Sequence, residues 1–212
     1  MTDRRRFLAT LLAGAGLVAL SGGKAALASI EQEAADFLND LGQRAIDELT
    51  DKGAGDQERV DRFRNLMLEG VDFDLIAQQV LGRHWRNSDD SLRQEFALVL
   101  RETLINRFLP LFDKYEGETF HVVSTRTSSQ DSSLVAATTN VVAPNGEIVR
   151  VEWYMKRFDQ GLRIYDFSAE GVRLTVSLQD EYNSVLSQAD GDLAVLIGQL
   201  KKKLPSTARL TS

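Results

Sequence analysis

The chain has 212 residues, with 25 basic against 31 acidic side chains, two histidines and no cysteine, for a formal net charge of −6. An acid excess of this kind repels nucleic acid and anionic lipid headgroups, which argues against a nucleic-acid role and against permanent membrane attachment. No disulfide framework can form, and His84 and His121 stand in no H-x-x-x-H or H-x-x-E-H spacing, so no zinc motif exists and stability must come from a core.

The first residues predict an export signal. Residues 3–9 read D-R-R-R-F-L-A, residues 7–20 are apolar and too short to span a bilayer, and Ala26-Leu27-Ala28 is an A-x-A cleavage site. We read residues 1–28 as a cleaved signal peptide of twin-arginine type, with the mature chain starting near Ser29. Its removal leaves 21 basic against 30 acidic residues. About 185 residues suffice for one domain that buries roughly 70% of its unfolded surface. We place that domain at 29–205, followed by a polar tail, 206–212.

Helices come first. Ile30, Ala34, Phe37, Leu38, Leu41, Ala45, Ile46 and Leu49 recur at three- and four-residue steps, which predicts an amphipathic helix over 30–50, ended by Gly53 and Gly55. A second, over 56–69, presents Val60, Phe63, Leu66 and Met67. Asp72 caps a shorter third, "FDLIAQQVLG", closed by Gly82. Asp89 and Asp90 start the longest, which runs to Phe112 with Pro110 near its end.

Between about 117 and 168 the period changes to two. "TFHVVSTRTSS", "LVAATTNVVA", "EIVRVEWYMKRF" and "LRIYDFSA" predict four strands, the last three joined by the turns Pro144-Asn145-Gly146 and Asp159-Gln160-Gly161 into an antiparallel meander. Helices over about 173–188 and 191–203 finish the chain. The fold class is α+β, with helices lying across one face of the sheet. Small residues at Ala136, Ala137, Thr138 and Thr139 either let a helix approach closely or leave room for a guest.

Asp166 sits between apolar Ile164 and Phe167 near the end of the fourth strand, just before the turn at Glu170-Gly171. As a general base it would need an oriented partner, and its chain neighbours Tyr165 and Phe167 face the other way. A half-buried carboxylate there pairs more often with an arginine, here Arg150 or Arg163, or accepts backbone N–H bonds.

"FDLIAQQVLGRHW", "VRVEWYMKR", "RIYDFSAEGVRL", "LQDEYNSVL" and "GDLAVLIGQLKKK", in that order, resemble the MlaC-like, or toluene-tolerance, family of periplasmic phospholipid-binding proteins. The most specific block is I-Y-D-x-x-x-E-G-V-x-L, Ile164 to Leu174. Arg173 departs from the family, where serine is common.

The resemblance implies an NTF2-like, cone-shaped fold: a mixed, mainly antiparallel four-stranded sheet wrapped by six or seven helices. It implies a non-enzymatic, monomeric shuttle without cofactor that carries phospholipid across the periplasm and maintains outer-membrane lipid asymmetry. Its partners would be an inner-membrane ABC transporter with a lipid-binding ring and an outer-membrane lipoprotein complex. Alternatives are a hopanoid-cluster carrier, or a small-molecule enzyme on a cone-shaped fold using Asp166.

Removing a sixteen-carbon chain from water gains roughly 12 kcal/mol, and the bilayer offers nearly the same, so a carrier needs an apolar tunnel of many hundreds of Å³. Val80, Leu104, Phe108, Val151, Trp153, Ile164, Val172 and Val176 are the wall candidates. The matching motif sets Val172 at the mouth, and Arg150, Tyr154 and Glu170 are candidates for the rim or for docking a partner.

Overall fold

The computed structural model describes residues 22–51 and 53–210. The arginine run and apolar stretch of the expected leader lie outside the described residues, and the first helix, α1 (Gly22–Leu49), continues across the expected cleavage site. It is followed by α2 (Asp56–Gly70), α3 (Phe73–Leu81), α4 (Arg83–Asn87) and α5 (Asp90–Phe108), then a 3-10 turn at Leu109–Lys114. Asp72 and Asp89 cap α3 and α5, each accepting the N–H three residues on at 2.8 Å. Gly82 ends α3 at φ +51°, as its position predicts, and a single further turn, α4, follows that periodicity did not reveal.

The sheet has five strands in chain order, β1 (Thr119–Thr127), β2 (Leu134–Val142), β3 (Ile148–Phe158), β4 (Gly161–Ala169) and β5 (Val172–Arg173). Two details differ from the expectation of a mixed four-stranded sheet. All four strand pairings are antiparallel, the only parallel element among the described residues being an isolated bridge, Val71 to Ile164. The fifth strand holds two residues, too few for an alternation pattern to register. It forms because Glu170 and Gly171 both adopt positive φ, +51° and +84°, the backbone of a tight two-residue hairpin turn. Helices α6 (Leu174–Gln188) and α7 (Leu193–Lys203) complete the chain.

Three apolar clusters fill the interior. Leu38, Ala34 and Ile30 of α1 pack on Val135, Ala137, Met155, Leu162 and Ile164, so the small residues of β2 serve close helix approach at Ala137. The helical cluster joins α3, α5, α6 and α7 around Phe96, Leu100, Leu178 and Leu196. A third links Leu49, Phe63, Leu66 and Ile105. Between α2 and α5 lies a buried ion pair, Arg64 to Glu102 at 2.9 Å, which the tail closes: the Arg209 N–H donates to the same carboxylate at 3.0 Å and its guanidinium meets Asp61 at 2.8 Å. The polar tail is therefore docked at least as far as Arg209.

Candidate functional site: the apolar end of the sheet and its polar clamp

A bulge in β4 decides which side chains share a face. Tyr154 pairs with Asp166 while Met155 pairs with Ile164, so Tyr165 is the extra residue. Strict alternation would leave Ile164 and Asp166 on the same side. The bulge instead leaves Ile164 facing α1 with Met155 and turns Asp166 and Ser168 to the outer face, beside Tyr154 and Glu152. It also brings Phe167 onto the helix side opposite Trp153, at a ring separation of 5.6 Å, and the Phe108 ring of α5 lies 5.5 Å from Phe167. Phe167 is thus a central member that reading in strict alternation missed, and only the register with Trp153 could have found it.

Beside these rings a cross-strand row, Val122, Thr139, Val151, Ala169 and Val172, runs along the helix side from β1 to β5. Thr139, fully buried, accepts the Trp153 indole N–H at 2.9 Å and so fixes that ring. The row leads outward: Val151 is buried, whereas Val172 and Val176 are 64% and 49% exposed.

Asp166, with no exposed surface, clamps this end. Its Oδ1 accepts the N–H groups of Phe167 at 2.9 Å and Thr175 at 3.1 Å. Its Oδ2 accepts the Thr175 hydroxyl at 2.7 Å and the Arg173 guanidinium at 2.5–2.6 Å. Arg173 has no capping side chain of its own to offer α6, so a carboxylate from β4 supplies the cap across the hairpin.

The partner is Arg173 and not Arg150 or Arg163, because the bulge and the tight turn bring β5 alongside. With both oxygens engaged by five donors, Asp166 has no free lone pair aimed at a substrate and serves as a structural anchor. The same Arg173 stacks over the Tyr154 ring at 4.3 Å, and the Tyr154 hydroxyl donates to Glu152 at 2.6 Å, which pairs with Arg126 at 2.5 Å. Burial, and then the Glu152 carboxylate, raise the Tyr154 pKa above its ordinary value, while the Tyr154 and Arg126 bonds hold Glu152 low. A polar belt thus crosses the outer face from β1 to β5.

The wall candidates are spread over several parts of the interior. Val80 and Leu104 sit in the helical cluster, and Ile164 sits under α1. Phe108 and Trp153 meet through Phe167, and Val151, Val172 and Val176 trace the way out. Of the rim candidates, Tyr154 belongs to the belt, while Arg150 and Glu170 are exposed and adjacent, the Glu170 N–H donating to the Arg150 carbonyl at 3.3 Å.

Two clefts lie elsewhere. One of about 820 Å³ is lined by Leu68, Val71, Phe73, Ala97, Phe158 and Arg163, and one of about 700 Å³ by residues of α4 and the α6–α7 junction, including His84, Ser88 and Asp190. None of the eight wall candidates lines either. Between the helices and the sheet, beside the row from Val122 to Val172, stand the rings of Trp153, Phe167 and Phe108. No group of residues suited to hold a metal ion occurs among the described residues.

The fold has a solved counterpart. A phospholipid-binding protein from Ralstonia solanacearum, determined in complex with a phospholipid, superimposes with a TM-score of 0.69 at 19% identity, covering 84% of this chain and 99% of its own. The family model described as MlaC protein matches residues 39–202. That match takes in every strand, helices α2 to α6 whole, the last part of α1 and all but the last residue of α7, and the chain belongs to the MlaC family.

Proposed function

We propose that this chain is a periplasmic phospholipid carrier. It holds acyl chains between helices and sheet and moves lipid between the outer and inner membranes without altering it. The observation that carries this reading is the family match over 39–202, joined to a counterpart of the same fold that was captured with phospholipid. The local geometry is compatible: the cross-strand row ends in exposed Val172, with exposed Val176 beyond it in α6, and behind it the rings of Phe108, Phe167 and Trp153 meet where the helical cluster adjoins the cluster between α1 and the sheet. Acyl chains enter as Phe108, Phe167 and Trp153 part, α5 moving against the sheet, while Asp166 keeps β5 and the start of α6 in place.

Export by the twin-arginine leader delivers the chain to the periplasm. An inner-membrane ABC transporter with a lipid-binding ring and an outer-membrane lipoprotein complex load and unload it. Organic extraction of the purified mature protein, followed by mass spectrometry, tests the reading. Phospholipid near one molecule per chain supports it, hopanoid in its place favours the hopanoid-cluster alternative, and an extract free of lipid overturns carriage.

A further inference from the structure

Arg209 is tied on three sides to the junction of α2 and α5. Its N–H donates to Glu102 at 3.0 Å, its carbonyl accepts the Arg101 guanidinium at 2.8 Å, and its own guanidinium meets Asp61 of α2 at 2.8 Å. Only a short segment leads there from α7. Leu204 packs against the helical cluster, the Ala208 N–H closes a turn on the Pro205 carbonyl at 3.1 Å, and Leu210 is exposed again. These residues lie beyond the stretch matched by the family model.

What the tail binds is a deeply buried charge. Glu102 has no exposed surface, and Arg64, which bonds it through two nitrogens at 2.9 and 3.2 Å, is nearly as buried. A carboxylate held so deep is stable only while donors surround it, and each donor withdrawn leaves part of its desolvation uncompensated. The tail supplies one of those donors from outside, so the α2–α5 junction is at its tightest only with the tail in place. The tail's own attachment opens more easily. The Arg209 and Asp61 side chains are 55% and 33% exposed, ion pairs so exposed are weak, and a chain end with few packed side chains opens locally at far less cost than the core.

The consequence falls on α5. Phe108 stands six residues beyond Glu102 on the same helix, about 9 Å along its axis, and its ring is one of the three that meet between helices and sheet. Closer to Phe108 the polar tie is Arg107 to Glu181 at 3.0 Å, with both side chains exposed, and such a pair holds little. The buried tie on this half of α5 is the one that the tail completes. We propose that Arg209 is a positioning residue: through it the tail latches α5 to α2, and opening of the latch frees α5 to move off the sheet and speeds the passage of acyl chains. The proposal rests on reading lipid entry as a movement of α5 against the sheet.

The test loads the mature protein with pyrene-labelled phosphatidylglycerol and follows release to phosphatidylcholine vesicles, with hydrogen exchange of the α5 amides measured on the same samples. Arg209→Ala loses the part-exposed ion pair and is expected to speed release about two- to fivefold. Arg209→Pro also removes the N–H from a buried carboxylate, and about tenfold or more is expected. Arg209→Lys keeps both the charge and the N–H and is expected to stay near the parent. Because the chain has no cysteine, Asp61→Cys/Arg209→Cys can be joined by a short cleavable bismaleimide. Release is expected to be fast before joining, slow once joined and fast again after cleavage, a reversal that a merely structural role would not produce, and α5 exchange is expected to rise and fall with it. Equal release from the parent, Arg209→Ala and the joined and cleaved forms overturns the proposal, and so does faster release without faster α5 exchange. A parent that takes up none of the labelled lipid overturns the carrier reading instead, and the latch then stands or falls on whether α5 exchange responds to Arg209.

Discussion

Asp166 offers a sharp prediction because its five donors lose different things in different replacements. In Asp166→Asn the amide oxygen still accepts the N–H groups of Phe167 and Thr175, and the Thr175 hydroxyl can rotate to accept from the new amide. What disappears is the charge-assisted bond to Arg173, worth about 1.5–3 kcal/mol when dry. Because the Arg173 side chain is 39% exposed and recovers water, the lower end applies. A loss of about 1.5–2 kcal/mol is expected.

Asp166→Ala removes the acceptors altogether. It leaves the Thr175 N–H and hydroxyl, on a residue only 6% exposed, without partners, which adds about 1–3 kcal/mol. The total, about 2.5–5 kcal/mol, is a large fraction of a typical domain's stability. Urea unfolding followed by tryptophan fluorescence measures both, with the slope checked for constancy. An alanine variant within about 0.5 kcal/mol of the asparagine variant would refute the claim that Thr175 depends on this carboxylate. An asparagine variant of unchanged stability that loses a catalytic activity would restore the enzyme reading.

Other expectations follow from the same structure. Glu102→Gln takes from Arg64, 4% exposed, one of two carboxylate partners, Asp61 staying at 2.6 Å, and should cost about 3 kcal/mol in the same assay, the lower end for a broken buried pair. Burial opposes the charge on Glu102, but the bonds from Arg64 and the Arg209 N–H, with Arg101 beside them, hold its pKa below the ordinary value. Its contribution is therefore complete above the unfolded value of about 4.3 and is lost as pH falls through the lower folded value, so the gap between parent and Glu102→Gln should narrow in acid. Tyr182 has a buried hydroxyl without a partner, and Tyr182→Phe should be neutral or stabilising by up to about 1 kcal/mol; a loss above that would reveal an unrecognised acceptor. Val172→Glu alters an exposed side chain and should leave stability within about 0.5 kcal/mol, while lowering co-purified lipid; unchanged lipid content would remove Val172 from the path.

Most of the architecture was legible because periodicity and punctuation are local. The stripe from Ile30 to Leu49, the caps at Asp72 and Asp89 and the turns at Gly146 and Gly161 all formed where their residue types demand. What escaped was set by register. No local signal marks Tyr165 as a bulged residue, so strict alternation sets Ile164 beside Asp166 and passes over Phe167 beside Trp153, and nothing local singles out Arg173 over Arg150 or Arg163. The short β5 was hidden for a related reason: Val172-Arg173 becomes a strand only because Glu170-Gly171 folds it back on Ser168 and Ala169. The eight wall candidates were chosen as apolar positions on facing elements, a criterion that cannot separate the interior of a helical cluster, where Val80 and Leu104 lie, from the seam between layers, where Phe108 and Trp153 meet.

A crystal structure of the protein loaded with phospholipid bears most directly on the account. Acyl chains running between α5 and the sheet, with the rings of Phe108, Phe167 and Trp153 displaced around them and the headgroup beside Val172 and Val176, is the predicted result. Chains bound instead in the 820 Å³ cleft between α3, α5 and the β3–β4 turn, with those three rings still in contact, would contradict it.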